Sequence, residues 1–234
     1  MKKILLVLIF STTLSCLGKI KEEEKVDREN KKEYVAFIKE ILSKRNTFKQ
    51  EYIASSPEEK KIILQKARLY LVSSIGTELF PYWYGTKWDF NGTTRIPKQG
   101  KIACGYFITN ILTDVGFDIP RVKWAQSASE VFIKRLAKNK IKRFVNKPIE
   151  NIEKYLVNSG DGLYLVGLDS HTGFIYVNKN KVRFIHADYY EPEKGVVSEK
   201  LNSYSPIAYS KYRVIGKLMS DEMIESWIMN KRIS

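Results

Sequence analysis

An α+β fold is what this sequence predicts, and three observations predict it. Apolar residues recur at helical spacing from Glu33 onward. Past Ser159-Gly160-Asp161-Gly162 the apolar period shortens to that of strands. Helices therefore come first and an antiparallel meander second, with no regular alternation of strand and helix, which is the α+β pattern. At 234 residues, the chain suits one medium domain with additions.

Taken in order, Lys2 and Lys3 precede an uninterrupted apolar run, Ile4 to Phe10, and Ser11-Thr12-Thr13-Leu14-Ser15 leads into Cys16. That layout predicts a secretory signal peptide over residues 1–15, too short in its apolar part to span a bilayer as a mature helix. Leu14-Ser15-Cys16 resembles the lipoprotein cleavage box, with Thr13 where that pattern prefers leucine. Cys16 is the expected lipidation site. The expected location is a bacterial cell envelope, anchored to its membrane through that lipid, or otherwise periplasmic or secreted. Residues 16–31 are almost wholly charged and suit a tether.

A helical extension is expected over 32–79. Its stronger helix starts after Ser56-Pro57, with Glu58 and Glu59 in the first turn and Ile62, Ile63, Ala67, Leu69 and Leu71 as apolar positions, ending near Gly76. Phe80 to Gly100, rich in glycine, proline and aromatic residues, reads as a folded loop. Cys104 to Val115 has an apolar face and stops at Gly116; a second helix is expected over about Ala125 to Lys138, and a short third one after Pro148. Strands follow at Leu163–Leu168, Gly173–Asn178, Val182–Ala187 and Tyr212–Leu218, the middle two joined by Asn178-Lys179-Asn180, and Asp221 opens a last helix. The principal domain is expected over 80–218 and the C-terminal helix over 219–234.

The net charge is +14. It is scattered, carries no nucleic-acid motif, and predicts a solvated basic surface or attraction to an anionic envelope polymer or headgroup. No nucleic-acid partner is expected.

The chain holds two cysteines, so a processed lipoprotein would keep Cys104 without an intrachain partner. A lone thiol in an oxidising compartment is a liability unless it is buried or used. Cys104 falls at the first turn of its helix, where unpaired amides and the helix dipole lower a thiol pKa and can receive an oxyanion. Gly105 leaves room for a substrate backbone. The two histidines both fall in the strand region: His171 at the start of one strand and His186 at the end of the next. His171 can take the thiol proton and deliver it to a leaving amine, while His186 can hold its tautomer. The bland alternative is a structural cysteine and two unrelated histidines.

Four segments together resemble the NlpC-type branch of papain-like cell-wall cysteine endopeptidases: Pro81-Tyr82-Trp83-Tyr84-Gly85, Ala103-Cys104-Gly105-Tyr106-Phe107, His171-Thr172-Gly173-Phe174-Ile175-Tyr176 and Phe184-Ile185-His186-Ala187. The resemblance covers about residues 80–190. It implies a papain-like core with the nucleophile-bearing helix packed on an antiparallel sheet, Cys104 as nucleophile, His171 as base and His186 as orienting residue. It also implies a peptidoglycan peptide bond as substrate. Tyr84 is an oxyanion candidate, and Trp83, Tyr84, Trp88 and Tyr106 are groove-wall candidates. The family usually has Asp-Cys-Ser-Gly-Phe around the nucleophile, so Ala103 and Gly105 depart from it. The His171–His186 interval exceeds the commonest family spacing by three residues, which a longer Asn178-to-Lys181 turn would absorb.

The expected function is cysteine-dependent amide hydrolysis through a thioester. The alternatives are a hydrolase or acyltransferase acting on another amide or ester, and a non-catalytic lipoprotein that binds the cell wall. Cys104, His171 and His186 would also be three possible zinc ligands. Their order is better explained as nucleophile, base and orienter, so no metal or cofactor is expected.

Overall fold

The computed structural model describes the backbone of residues 8–234 and the side chains of residues 29–234. The expectations for the signal segment and for lipidation at Cys16 therefore concern side chains outside the described residues. Helix α1 (Leu8–Ala54) is one continuous 47-residue helix that runs through the expected tether. Lysine and glutamate are good helix formers, so a charged stretch without proline, and with the single glycine Gly18, need not be coil. Among the described residues no helix is long and apolar enough to cross a membrane.

Helix α1 docks through Tyr34, Ile41 and Phe48, buried residues seven positions apart. Helix α2 (Pro57–Ser73) opens on a capping box: Ser56 Oγ accepts from the Glu59 amide, and the Glu59 carboxylate accepts from the Ser56 amide at 2.8 Å. The chain then stays helical further than expected, through a π-helical stretch Ser74–Leu79 and α3 (Phe80–Trp83). Leu79, Phe80 and Trp83 are fully buried, so packing overrides the loop signals there. The remaining loop is pinned by two short parallel strands, β1 (Lys87–Trp88) and β2 (Lys101–Ile102).

Helix α4 (Cys104–Asp114) lies next, with Phe107, Ile108, Ile111 and Leu112 buried. The helix expected over 125–138 is two pieces, α5 (Arg121–Ala125) and α6 (Ser129–Ala137). After β3 (Ile141–Val145) and α7 (Ile149–Ser159) come β4 (Gly162–Leu168), β5 (Thr172–Asn178), β6 (Lys181–Ala187) and β7 (Val196–Glu199). Helix α8 (Pro206–Tyr209), β8 (Tyr212–Lys217) and α9 (Asp221–Met229) complete the chain. The strands β3-β8-β4-β5-β6-β7 form, in that order, a six-stranded sheet with every neighbouring pair antiparallel.

Both faces of the sheet are covered. On one, α4 and α6 pack so that Phe107 meets Phe174 edge-on at 5.9 Å. On the other, Ile152 and Leu156 of α7 join Phe144, Val166, Ile175, Phe184 and Ile215. The β5–β6 hairpin closes through Lys179 and Asn180, both at positive φ, with Asn178 paired to Lys181. The turn is thus a tight two-residue one. The extra length between the histidines lies in the paired strands, not in a longer turn.

Candidate active site

Cys104 occupies the first position of α4, after Ala103 in an extended conformation. The peptide amides of Cys104, Gly105 and Thr172 are directed at its sulfur. Thr172 begins β5 directly after His171, so the nucleophile helix and the start of β5 meet at the thiol. Burial nevertheless outweighs these amides and pushes the thiol pKa up from its ordinary value. This is opposite in sign to the shift expected at a helix start: the amides do favour the thiolate, but removing it from water costs more.

Gly105 also plays a different part from the one expected. A Cβ there would lie 2.2 Å from the Ala125 carbonyl oxygen, so its missing side chain admits α5 rather than a substrate. The same contact gives a packing reason for glycine at a position where the peptidases that the sequence resembles usually carry serine.

His171 sits in the tight turn between β4 and β5, closed by the Leu168 amide donating to the His171 carbonyl at 2.8 Å. Asp169 fastens that turn from outside, its carboxylate accepting from the amides of Lys211 and Tyr212 and from Ser210 Oγ. His171 Nε2 lies 3.0 Å from His186 Nδ1, and His186 Nε2 lies 3.2 Å from Glu199 Oε2. His186 is fully buried and Phe184 stacks on it at 4.1 Å. Gly173 permits this, because a Cβ on it would come within 2.9 Å of His186 Cβ.

The order of proton donors follows from the acceptor at the end of the chain. An ionised carboxylate only accepts, so His186 Nε2 carries a hydrogen toward Glu199. When its Nδ1 carries no hydrogen, His186 accepts the Nε2 hydrogen of His171 across the 3.0 Å contact. Neutral His171 is left with an unprotonated Nδ1, the nitrogen able to accept a thiol proton. Burial and, secondarily, His186 hold the His171 pKa well below the ordinary histidine value, which keeps the ring neutral.

Cys104 and His171 line the same cleft, at the junction of two recesses. The larger, about 520 Å³, has Trp88, Phe90, Asn91, Tyr106, Gln126 and Tyr189 in its wall. The smaller, about 270 Å³, is walled by Ser127, Ser129, Phe132, Leu168 and Asp169. Cys104, Gly105 and His171 belong to the wall of both recesses.

Of the groove-wall candidates, Trp88, Gly105 and Tyr106 line the cleft. Tyr106 is braced by Gln126 at 3.1 Å and by the Arg121 guanidinium 5.0 Å over its ring. Trp83 does not line it: it is fully buried and donates to Tyr34 at 3.2 Å, tying α3 to α1. Tyr84 is half-buried with its hydroxyl beside Ser198 and lines neither recess, so the expectation of an oxyanion donor there is not met by its position.

Glu199 was not among the sequence candidates. The signal for it was slight: β7 is a short edge strand, and Glu199 becomes visible only once Phe184 pairs with it, which sets it diagonal to His186 on one face. Asp169 was equally hidden, as a loop carboxylate with no motif around it.

No protein-family model, no curated protein and no solved structure matches the chain.

Proposed function

We propose that this protein is a cysteine-dependent amide hydrolase acting on peptide bonds of peptidoglycan, with Cys104 as nucleophile, His171 as general base and His186 and Glu199 as the residues that orient it. The observation that carries the reading is the hydrogen-bonded series Glu199–His186–His171, which ends at the cleft shared with Cys104. A buried series of this polarity is a costly arrangement unless the free nitrogen at its end is used.

In the reaction, Cys104 Sγ bonds to the amide carbonyl carbon as its proton passes to His171 Nδ1. The amides at Cys104 and Gly105 hold the oxyanion. His171 returns the proton to the departing amine, giving a thioester and the first product. Water, deprotonated by His171, then attacks the thioester; the thiol leaves and regains the proton. Because burial keeps both partners neutral at rest, proton transfer accompanies attack instead of preceding it. The substrate follows from the sequence resemblance and from a cleft open on both sides of the thiol. Export and attachment to the membrane through Cys16 complete the reading.

The test is digestion of purified peptidoglycan by the wild-type protein and by Cys104→Ala, with released peptides identified by mass spectrometry beside small amide and ester substrates. New peptide termini from the wild type alone support the proposal. Turnover of esters or other amides with no peptidoglycan product replaces the substrate, and full activity in Cys104→Ala removes the mechanism.

A further inference from the structure

A row of aromatic rings leaves the candidate cleft and continues across the surface. Tyr189 lines the cleft, with its ring 5.0 Å from His171 and 6.0 Å from Trp88. From it the rings of Tyr190, Tyr204 and Tyr209 follow at steps of 4.8, 5.3 and 5.6 Å. The far end is the exposed end: Tyr204 is 67% and Tyr209 63% accessible. Contiguous exposed rings are unusual on a soluble surface and mark a contact site more often than isolated ones do.

The backing of the row is rigid. Tyr190 follows Asp188, whose carboxylate accepts from the Tyr190 amide at 2.8 Å. Tyr209 ends α8, which is clamped from below by Arg213: the buried guanidinium donates to the carbonyls of Ile207 at 2.7 Å and Ala208 at 2.8 Å. Little ordering entropy remains to be lost when a ligand lies along the rings.

We infer that Tyr189, Tyr190, Tyr204 and Tyr209 form a stacking track for a saccharide chain. A pyranose ring presents C–H groups on its flat face and hydroxyls around its edge. A tyrosine presents a flat apolar face and one hydroxyl at its rim, so an exposed ring can stack a sugar and hydrogen-bond its edge. Successive rings are turned by 72°, 42° and 67°, so the saccharide stacks on the exposed rings of Tyr204 and Tyr209 and passes along the edges of Tyr190 and Tyr189 toward the cleft. The inference deepens the hydrolase reading by supplying the glycan to which the scissile peptide is attached, and it rests on that reading for its direction toward the thiol.

Binding is measured by titration calorimetry on the Cys104→Ala protein, which separates it from turnover. The probes are peptide-free peptidoglycan glycan strands and β-linked N-acetylglucosamine oligosaccharides of increasing length. Affinity is expected to rise with length until the track is filled. Tyr204→Ala and Tyr209→Ala are each expected to weaken binding about two- to tenfold, while Tyr204→Phe keeps most of it. Both positions are exposed, and circular dichroism checks that the fold is intact. Affinity independent of length, unchanged in the double alanine variant, or seen only for free peptides or anionic vesicles overturns the inference. Saccharide binding by a wild-type protein that hydrolyses nothing leaves the track standing and defeats the hydrolase reading instead; hydrolysis without saccharide binding does the reverse.

Discussion

The two walls of the cleft are built from opposite materials. One wall is the start of α4, where Cys104 is surrounded by peptide amides and apolar packing. The other is the edge of the sheet, where His171, His186 and Glu199 form a polar series through three consecutive strands or their ends. Burial acts on both, raising the thiol pKa and lowering that of the imidazole. Burial thus opposes charge on each group, and in the proposed reaction the two exchange a proton across the cleft without a resting ion pair. The lesson is that position at a helix start does not by itself define a reactive thiolate; the opposing wall must be able to take the proton.

The sharpest way to break this comparison is to remove each wall in turn. Cys104→Ala is expected to abolish covalent turnover, a loss of at least about 10³-fold. His171→Ala is expected to cost about 10²–10⁴-fold in kcat, and pairing the two changes to cost little more than the larger one alone, because they act as a unit. Losses that multiply independently would separate the walls. Both are read from kcat and KM on the same amide substrate.

The polar series is tested one step back, at Glu199. Glu199 bonds to His186, which bonds to His171, so in the proposed reaction it is a positioning residue that does not touch the reacting atoms. Glu199→Gln removes a charged hydrogen-bond partner worth about 1.5–3 kcal/mol, so kcat is expected to fall roughly ten- to a hundredfold with KM little changed. The acid limb of the pH–rate profile is expected to move to lower pH, since the imidazolium that forms on His171 loses its distant carboxylate. An unchanged acid limb with a lower folded population would reduce Glu199 to a structural residue.

The buried imidazole also makes stability depend on pH, and the sign is fixed. In the unfolded chain His171 titrates near about 6.5, whereas in the folded protein its pKa lies well below that value. As pH falls below about 6.5 the unfolded state binds a proton that the folded state refuses, so stability declines toward acid and is fully present above that range. Urea unfolding between pH 5 and 8 should show this slope, and His171→Phe should flatten it. The smallest expected effect is on the thiol wall: Gly105→Ser, which introduces the serine usual in the peptidases that the sequence resembles, should cost about 1–3 kcal/mol by overpacking against Ala125, read as a lower urea midpoint. A neutral or stabilising result would show that α5 can move away.

How much of this was legible in the sequence depends on how local each signal is. The amphipathic α4, the capping box before α2 and the β5–β6 hairpin are written in nearby residues, and the expected elements fall where the structure has them. The missed strands β3 and β7 are the two edges of the sheet. Ile141-Lys142-Arg143-Phe144-Val145 carries two adjacent charges, and edge strands keep charge for good reason, so its alternation is weak. Trp83 and Tyr84 read as groove residues because aromatic loops often are, but α3 turns Trp83 into the core and the chain leaving it carries Tyr84 to Ser198. Glu199 required the register of β6 with β7, which is long-range information. The thiol's pKa direction required burial, which no motif records.

The central claim is that Cys104 and His171 act together across the cleft to form a covalent intermediate. Rapid-quench intact-mass analysis of the wild-type protein mixed with peptidoglycan fragments tests it most directly. A transient adduct equal in mass to the acyl half of the substrate, mapped to Cys104 and lost in Cys104→Ala, is the predicted result. In His171→Ala the adduct should form about 10²–10⁴-fold more slowly. Peptide release at full rate with no adduct on Cys104 would contradict the account.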